Sequence, residues 1–231
     1  MIVPTTQRIF AVLAASLVLV GCRAPTAAPA TTSTAAPAPK PVSSVPSTAQ
    51  KPLLFDGKTL NGWQVTDFAG HGTVTVTNGE IRVGMGHMTG ITLTDTNGLP
   101  RTNYEVSLDA MRVDGSDFFC GLTFPVGNEH CSFIVGGWGG GVVGLSSLDS
   151  EDASQNETTT YMNFANNRWF HIRVRVEPDR IQAWIDNDRV ANVETKERRI
   201  GIRLEMESCT PLGLTTWNTA AAWKNIQIKK L

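Results

Sequence analysis

The sequence predicts an all-β fold, a sandwich of two antiparallel sheets, for the part of the chain that follows residue 51. Short stretches alternate apolar and polar residues at every second position, and turn residues separate these stretches. No stretch shows the 3.6-residue apolar repeat of an amphipathic helix. About ten or more such strands in one domain favour a sandwich, and a barrel is the main alternative.

The alternation also predicts which residues face the core. It is clearest in "NYEVSLDAMRV", in "WFHIRVRVEPDRIQAWIDNDRV" and in the closing "WKNIQIKKL". Asn78-Gly79 predicts a tight hairpin turn, and Gly127-Asn128 a second one. The apolar residues expected to face the core are Tyr104, Val106, Leu108, Ala110, Phe170, Ile172, Val174, Val176, Ile226 and Ile228.

The first 22 residues have the pattern of an export signal. Arg8 precedes the apolar run "IFAVLAASLVLVG", which is short for a bilayer span. Leu19-Val20-Gly21-Cys22 resembles the lipobox of bacterial lipoproteins, in which cleavage leaves a lipid-bearing cysteine at the new N-terminus. We therefore expect Cys22 to anchor the protein to a membrane of the bacterial cell envelope, facing the periplasm or the exterior.

Residues 23–51 consist almost wholly of Ala, Pro, Thr and Ser and lack apolar periodicity. Such a segment buries too little surface to offset its ordering entropy, so it predicts a disordered tether. The folded domain is accordingly predicted to span residues 52–231, long enough for one core. A net charge of -1 argues against a nucleic-acid partner, and the sequence leaves the oligomeric state open.

Three cysteines follow Cys22 in the exported part of the chain. If Gly127-Asn128 turns a hairpin, Cys120 lies opposite Val135 and Cys131 opposite Phe124, which separates the two sulfurs along the ladder. Cys120, Cys131 and Cys209 are therefore predicted to be buried free thiols.

Three segments resemble the 3-keto-disaccharide hydrolase domain family. They are "PLLFDGKTLNGWQV", "RWFHIRVRVEPDRIQAWIDNDRV" and "TPLGLTTWNTAAAWKNIQIKKL". The resemblance implies a concanavalin-A-like jelly-roll sandwich and cleavage of glycosides that carry a ketone at C3. The chain departs from the family pattern at Trp217-Asn218, where a His-Gly pair is frequent, and at Phe124-Pro125, where an Arg is frequent.

The activity implied by the resemblance requires three groups. A base must remove the C2 proton, an electrophile must stabilise the enolate oxygen, and a platform must hold the sugar ring. The candidate bases are Glu129, His130 and His87, with His71 as a further loop histidine. The sequence does not identify a cofactor, and a divalent metal ion is one candidate for the electrophile.

The acidic loop "SLDSEDASQNETTT" offers Asp149 and its neighbours as oxygen ligands for a cation or as polar contacts for a sugar. It does not follow the EF-hand pattern, because position six of a loop that starts at Asp149 is Ser154 and not glycine. We interpret the loop as solvated and assign no metal ligands.

The run "GGWGGG" places Trp138 among five glycines. Trp138 could stack on the apolar face of a sugar, with Gly137 and Gly139 opening the backbone to its hydroxyls; Trp217 is a second candidate platform. The alternative is that the glycines serve sheet curvature and that Trp138 is buried.

Two functions follow: a lipoprotein that cleaves 3-keto-glycosides, or a carbohydrate-binding or structural module without catalysis.

Overall fold

The computed structural model describes residues 53–231 and shows a sandwich of two antiparallel sheets, as the alternation predicts, rather than a barrel. The signal, Cys22 and the tether lie outside the described residues. Within the described part, each sheet has seven strands.

Sheet I has the strand order β12-β11-β10-β5-β14-β3-β2. Its strands are β2 (Val74–Thr77), β3 (Glu80–Val83), β5 (Tyr104–Gly115), β10 (Trp169–Glu177), β11 (Arg180–Ile185), β12 (Asp188–Glu194) and β14 (Thr219–Lys230).

Sheet II has the order β1-β4-β13-β6-β7-β8-β9. Its strands are β1 (Trp63–Val65), β4 (Met88–Leu93), β6 (Cys120–Val126), β7 (Glu129–Gly137), β8 (Val142–Ser146), β9 (Thr160–Tyr161) and β13 (Gly213–Trp217). A 3-10 helix, Leu204–Cys209, precedes β13, and no helix of the described chain is long and apolar enough to cross a membrane.

The core fills the space between the two sheets. All ten residues predicted to face it are buried. Both predicted hairpins form: Asn78 and Gly79 take φ values of 52° and 79°, and Gly127 and Asn128 connect β6 to β7. Sequence alternation therefore predicted the faces of the long strands correctly.

The cysteines behave as predicted. Cys120 pairs in register with Val135 and Cys131 with Phe124, and all three thiols of the described chain are free and buried. Burial raises the pKa of the Cys131 thiol and of the Cys209 thiol to about 12. Neutral thiols of this kind serve as small apolar side chains.

The segments that contain the other four tryptophans have the pattern of packing strands, which predicts core or sheet-edge positions for Trp63, Trp169, Trp184 and Trp223. Trp63 and Trp223 are in the core, where their indole nitrogens donate to the carbonyls of Leu54 and Phe119. Trp169 and Trp184 instead lie on the outer face of sheet I, under Lys224 and Arg173 respectively. The prediction was wrong for these two because cation–π contacts shield an outward indole as packing would.

Candidate functional site

A second, smaller apolar cluster covers the outer face of sheet II. It is formed by Met88, Phe118, Ile134, Ala153 and Met206, with Phe68, Ile202 and Trp217 packed against it. The residues that cover the sheet come from loops and from the 3-10 helix, so the face is only partly closed. An opening remains at one end of it.

This opening is a cleft of about 230 Å³. It is smaller than the pockets that hold drug-sized ligands, and its size suits a single ring. The cleft has an apolar floor, two tryptophans and a charged rim, lined by Met88, Asp117, Phe118, Ile134, Trp138, Ser146, Arg203, Glu205, Met206 and Trp217.

Trp138 lies in the turn that joins β7 to β8. Its side chain is 43% exposed and lines the cleft, so the indole is not in the sandwich interior. Its φ is 48°, in the left-handed region that bulky residues rarely adopt. A strained, exposed aromatic residue at the mouth of a cleft is typical of a ligand-binding position.

The glycines around Trp138 have different roles. Gly136 and Gly140 leave room for Arg112, since a Cβ on Gly136 would lie 2.5 Å from its Nη2. Gly137 is buried at a bulge in the β7–β8 pairing, whereas Gly139 is exposed with open space around it. Each of the two interpretations of "GGWGGG" is therefore correct in part. The glycines serve the bend between β7 and β8, and Trp138 is exposed at the cleft rather than buried.

Trp217 forms the other aromatic wall. Its backbone N–H donates to the Phe118 carbonyl at 3.1 Å, which fixes the end of β13 beside the cleft. The His87 ring lies 4.2 Å from the Trp217 ring, centroid to centroid, but His87 does not itself line the cleft. The two sequence-predicted platforms, Trp138 and Trp217, therefore line the same cleft. The candidate histidine His87 packs against Trp217 and is not part of the cleft lining.

Two carboxylates reach the rim. Asp117 accepts backbone N–H donors from Phe118 at 2.8 Å and from Gly139 at 3.2 Å. Glu205 accepts from Arg203, whose other nitrogen donates to Asp152 at 2.8 Å. The hydrogen bonds from Arg203 hold the pKa of Glu205 below its ordinary value, so this carboxylate is ionised and already hydrogen-bonded to an arginine.

Ser146 borders the cleft, but its side chain is buried behind the wall. The residue is fully buried, and its Oγ has no hydrogen-bond partner within residues 53–231. A buried hydroxyl without a partner costs free energy in the folded state.

The structure does not bring Glu129 and His130 to this cleft. Both lie at the β6–β7 hairpin, eight or nine residues along β7 from Trp138, which corresponds to ~26 Å or more of strand. Burial, and then the charge of Arg101, lower the pKa of His130, which keeps its ring neutral. His71 lies in another loop and bonds the adjacent Gly72 carbonyl through Nδ1.

Asp149 lies in a loop organised by Arg198. It accepts from the Arg199 backbone and from Arg198, and Glu157 pairs with the same Arg198. These hydrogen bonds lower the pKa of Asp149. Because arginine occupies its carboxylates, this donor set does not fit a divalent cation, and residues 53–231 contain no group of three or more His, Cys, Asp or Glu able to hold one.

Sequence reasoning missed several residues of the cleft, namely Asp117, Ser146, Arg203, Glu205 and the apolar floor. They come from positions 88–206 of the chain and meet only through the register of sheet II and the path of the 3-10 helix. The one local signal is that Asp117 follows a Gly-Ser turn at the end of a long strand, where binding residues are common.

A jelly-roll sandwich with an aromatic cleft on one sheet defines a class of carbohydrate-active modules. The chain belongs to the family described as the 3-keto-alpha-glucoside-1,2-lyase-like domain, whose profile matches residues 51–229. The family resemblance seen in the sequence is therefore confirmed. None of the curated proteins compared with the chain matches it.

Solved structures with a similar fold have low sequence identity. A sialidase aligns with a TM-score of 0.51 at 9% identity over 78% of this chain and 18% of its own. A carbohydrate-binding module from Bacillus subtilis aligns with a TM-score of 0.49 at 16% identity, over 73% of this chain and 95% of its own. An alginate lyase from Corynebacterium sp. aligns with a TM-score of 0.47 at 10% identity, over 74% and 94%.

Proposed function

We propose that the protein binds one ring of a 3-keto-glycoside in the cleft between Trp138 and Trp217 and cleaves its glycosidic bond. The observation that carries the proposal is the cleft itself, in which two indoles face an apolar floor and a charged rim. A sugar has an apolar ring face and a rim of hydroxyls, so this arrangement matches it on both counts. Family membership supplies the reaction class.

The reaction begins at the sugar ketone. A ketone at C3 acidifies the C2 proton; a base removes it, and the electron pair moves through the enolate to expel the C1 aglycone. The aglycone oxygen takes a proton as it leaves, and water then adds across the new double bond at C1. The protein therefore needs one base close to C2 and a positive charge close to the C3 oxygen.

Asp117 is the best candidate for the base. It lines the cleft, and within residues 53–231 it forms no ion pair with an arginine, whereas Glu205 is bound by Arg203. Its two backbone donors orient it toward the turn that carries Trp138. An aspartate can act as a base at a carbon next to a ketone without a strongly raised pKa. Arg203 also lines the cleft and is the candidate cation for the enolate oxygen, in addition to its hydrogen bonds with Glu205 and Asp152.

The experiment is NMR-monitored turnover of 3-keto-trehalose by the wild type and single variants. We expect cleavage by the wild type, a loss of at least ~100-fold in Asp117→Asn, as for removal of a general base, and a raised KM in Trp138→Ala. Glu129→Gln is the matched control, because this carboxylate lies at the far end of β7. Normal turnover in Asp117→Asn, or loss in Glu129→Gln, would contradict the assignment.

A carbohydrate-binding module without catalysis is the second candidate. Two observations favour it: Glu205 is already ion-paired, and the sequence departs from the family pattern at Trp217-Asn218. Binding of trehalose or 3-keto-trehalose by the wild type, lost in Trp138→Ala but unaccompanied by any turnover, would identify this function.

We also propose that the protein is a lipoprotein of the bacterial cell envelope, attached through Cys22. The support is the sequence "LVGC" behind an apolar run and a positive charge. Labelling cells with a radioactive fatty acid tests it. The wild type should incorporate label and sediment with membranes, and Cys22→Ser should do neither; an unlabelled wild type would contradict the anchor.

A further inference from the structure

Arg112 occupies an unusual place in the sandwich. It continues the core-facing row of β5 and is only 6% exposed. Its guanidinium carbon lies 5.2 Å from the centroid of the Phe119 ring and 6.0 Å from that of Phe164. The residue therefore closes one end of the core and extends from sheet I toward sheet II.

Its donors are directed at the turn that carries Trp138. Nη2 donates to the Gly136 carbonyl at 3.2 Å and to the Gly140 carbonyl at 2.8 Å, on either side of the tryptophan. A Cβ on Gly140 would lie 3.3 Å from Nη1, and one on Gly136 would overlap Nη2. The two glycines thus let the guanidinium reach both ends of the turn.

Asp117 holds the middle of the same turn. Its Oδ2 accepts the Gly139 N–H, the residue next to Trp138. Three backbone groups within five residues are therefore fixed by two charged side chains. Trp138 needs such support, because the left-handed conformation of a bulky residue is strained and persists only when its surroundings impose it.

Stability alone is a weak reason to place an arginine here. Nε of Arg112 has no hydrogen-bond partner within residues 53–231, and burial lowers the pKa of the guanidinium despite the nearby charge of Asp117. A buried charge with incomplete partners is a poor substitute for an apolar side chain. Its hydrogen bonds to the Gly136 and Gly140 carbonyls indicate a role at the turn that carries Trp138.

We propose that Arg112 is a positioning residue that holds the 136–140 turn and so sets the Trp138 indole against the sugar ring. The proposal rests on the proposed function, because it assigns Arg112 a role through Trp138 in that same cleft. It does not place Arg112 in contact with the sugar.

The test compares the full chain with Arg112→Met, Arg112→Lys, Trp138→Ala and the double variant Arg112→Met/Trp138→Ala. Arg168→Met is the matched control, since the Arg168 guanidinium stacks 4.3 Å from the Phe170 ring, within the same aromatic cluster, without touching the turn. Two quantities are measured. The first is the strength of 3-keto-trehalose binding, taken as KM if the protein cleaves the sugar and as the dissociation constant if it does not. The second is acrylamide quenching of Trp138, taken as the difference from a Trp138→Phe partner of each variant.

We expect Arg112→Met to weaken binding about tenfold, as for loss of an aromatic contact, and to raise quenching of Trp138. Arg112→Lys, which keeps the charge on a shorter side chain without the planar guanidinium, should fall between this variant and the wild type. The double variant should bind no more weakly than Trp138→Ala, and Arg168→Met should bind like the wild type.

Three results would overturn the positioning role: unchanged binding in Arg112→Met, an additive loss in the double variant, or unchanged quenching. If Arg112→Met does not fold, the lysine variant gives the same comparison. If Trp138→Ala binds as tightly as the wild type, the proposed function is wrong, and the quenching measurement still decides whether Arg112 holds the turn.

Discussion

Ser146 and Ser132 lie opposite each other on β8 and β7, yet their hydroxyls have different surroundings. Ser132 shares a hydrogen bond of 2.8 Å with Thr123 of β6. Ser146, also fully buried, has no partner within the described residues and borders the cleft. The difference separates a hydroxyl whose hydrogen bond stabilises the sheet from one that is buried without a partner.

Replacing each serine by alanine should therefore have opposite effects on stability. Ser132→Ala removes a satisfied hydrogen bond and should lower the free energy of unfolding by about 1 kcal/mol, whereas Ser146→Ala should leave it unchanged or raise it. Urea unfolding measures both. A loss of stability in Ser146→Ala equal to that in Ser132→Ala would contradict this account.

Individual residues also show the limit of sequence reasoning. Trp138 was identified because it stands among glycines, and Trp217 because it occupies the place of a histidine that is frequent in the family. Asp117 and Glu205 were not, because an aspartate after a turn and a glutamate in a short helix are unremarkable until the fold places them at one rim. Arg112 was detectable in principle, since alternation along β5 places a charge on the core-facing row.

At the level of the strands, charges on the outer face of sheet I are paired across β5 and β10. Glu105 accepts from Arg173 at 3.2 Å and from Arg175 at 2.9 Å, and it is largely buried beneath them. Burial alone would raise the pKa of Glu105, but the hydrogen bonds and charges of the two arginines outweigh it, so the pKa lies below the ordinary 4.5.

This pairing predicts a pH dependence of stability. Because the folded state lowers the pKa of Glu105, its contribution is complete above the unfolded value of 4.5 and is lost as the pH falls through the folded value. Glu105→Gln should be less stable than the wild type at pH 7 by about 1.5–3 kcal/mol, and the difference should shrink below pH 4.5. Thermal unfolding across pH 3–7 measures it; a constant difference would contradict it.

Over the whole domain, the three buried thiols report on global opening. Cys120 and Cys131 lie on β6 and β7, and Cys209 ends the 3-10 helix, so the probes sample the core and the segment that covers sheet II. Their raised pKa values and burial keep the thiolate population negligible.

None of these three thiols should react with a maleimide on the timescale of minutes in the native protein at pH 7, and all three should react in denaturant. Mass spectrometry after pulse labelling locates the label, and Cys22→Ser removes the fourth cysteine from the comparison. Rapid labelling of Cys209 alone would show that the 3-10 helix opens independently, contrary to its packing in the structure.

The fold of the whole domain was more predictable than its site. Two-residue alternation, repeated over long strands, fixes which faces meet, and the sandwich follows from burying those faces. The cleft depends on which loop crosses sheet II and where, and on strand pairings such as that of β13 between β4 and β6, which no local pattern encodes.

The most direct test of the central claim, that the cleft on sheet II holds the sugar, is a ¹H–¹⁵N NMR titration of the six tryptophan indole N–H groups with 3-keto-trehalose. We predict that the resonances of Trp138 and Trp217 shift, while those of Trp63 and Trp223, whose N–H groups are bonded in the interior, stay in place. Shifts of Trp169 or Trp184 instead would place the sugar on sheet I, and no shift at Trp138 at saturating sugar would contradict the account.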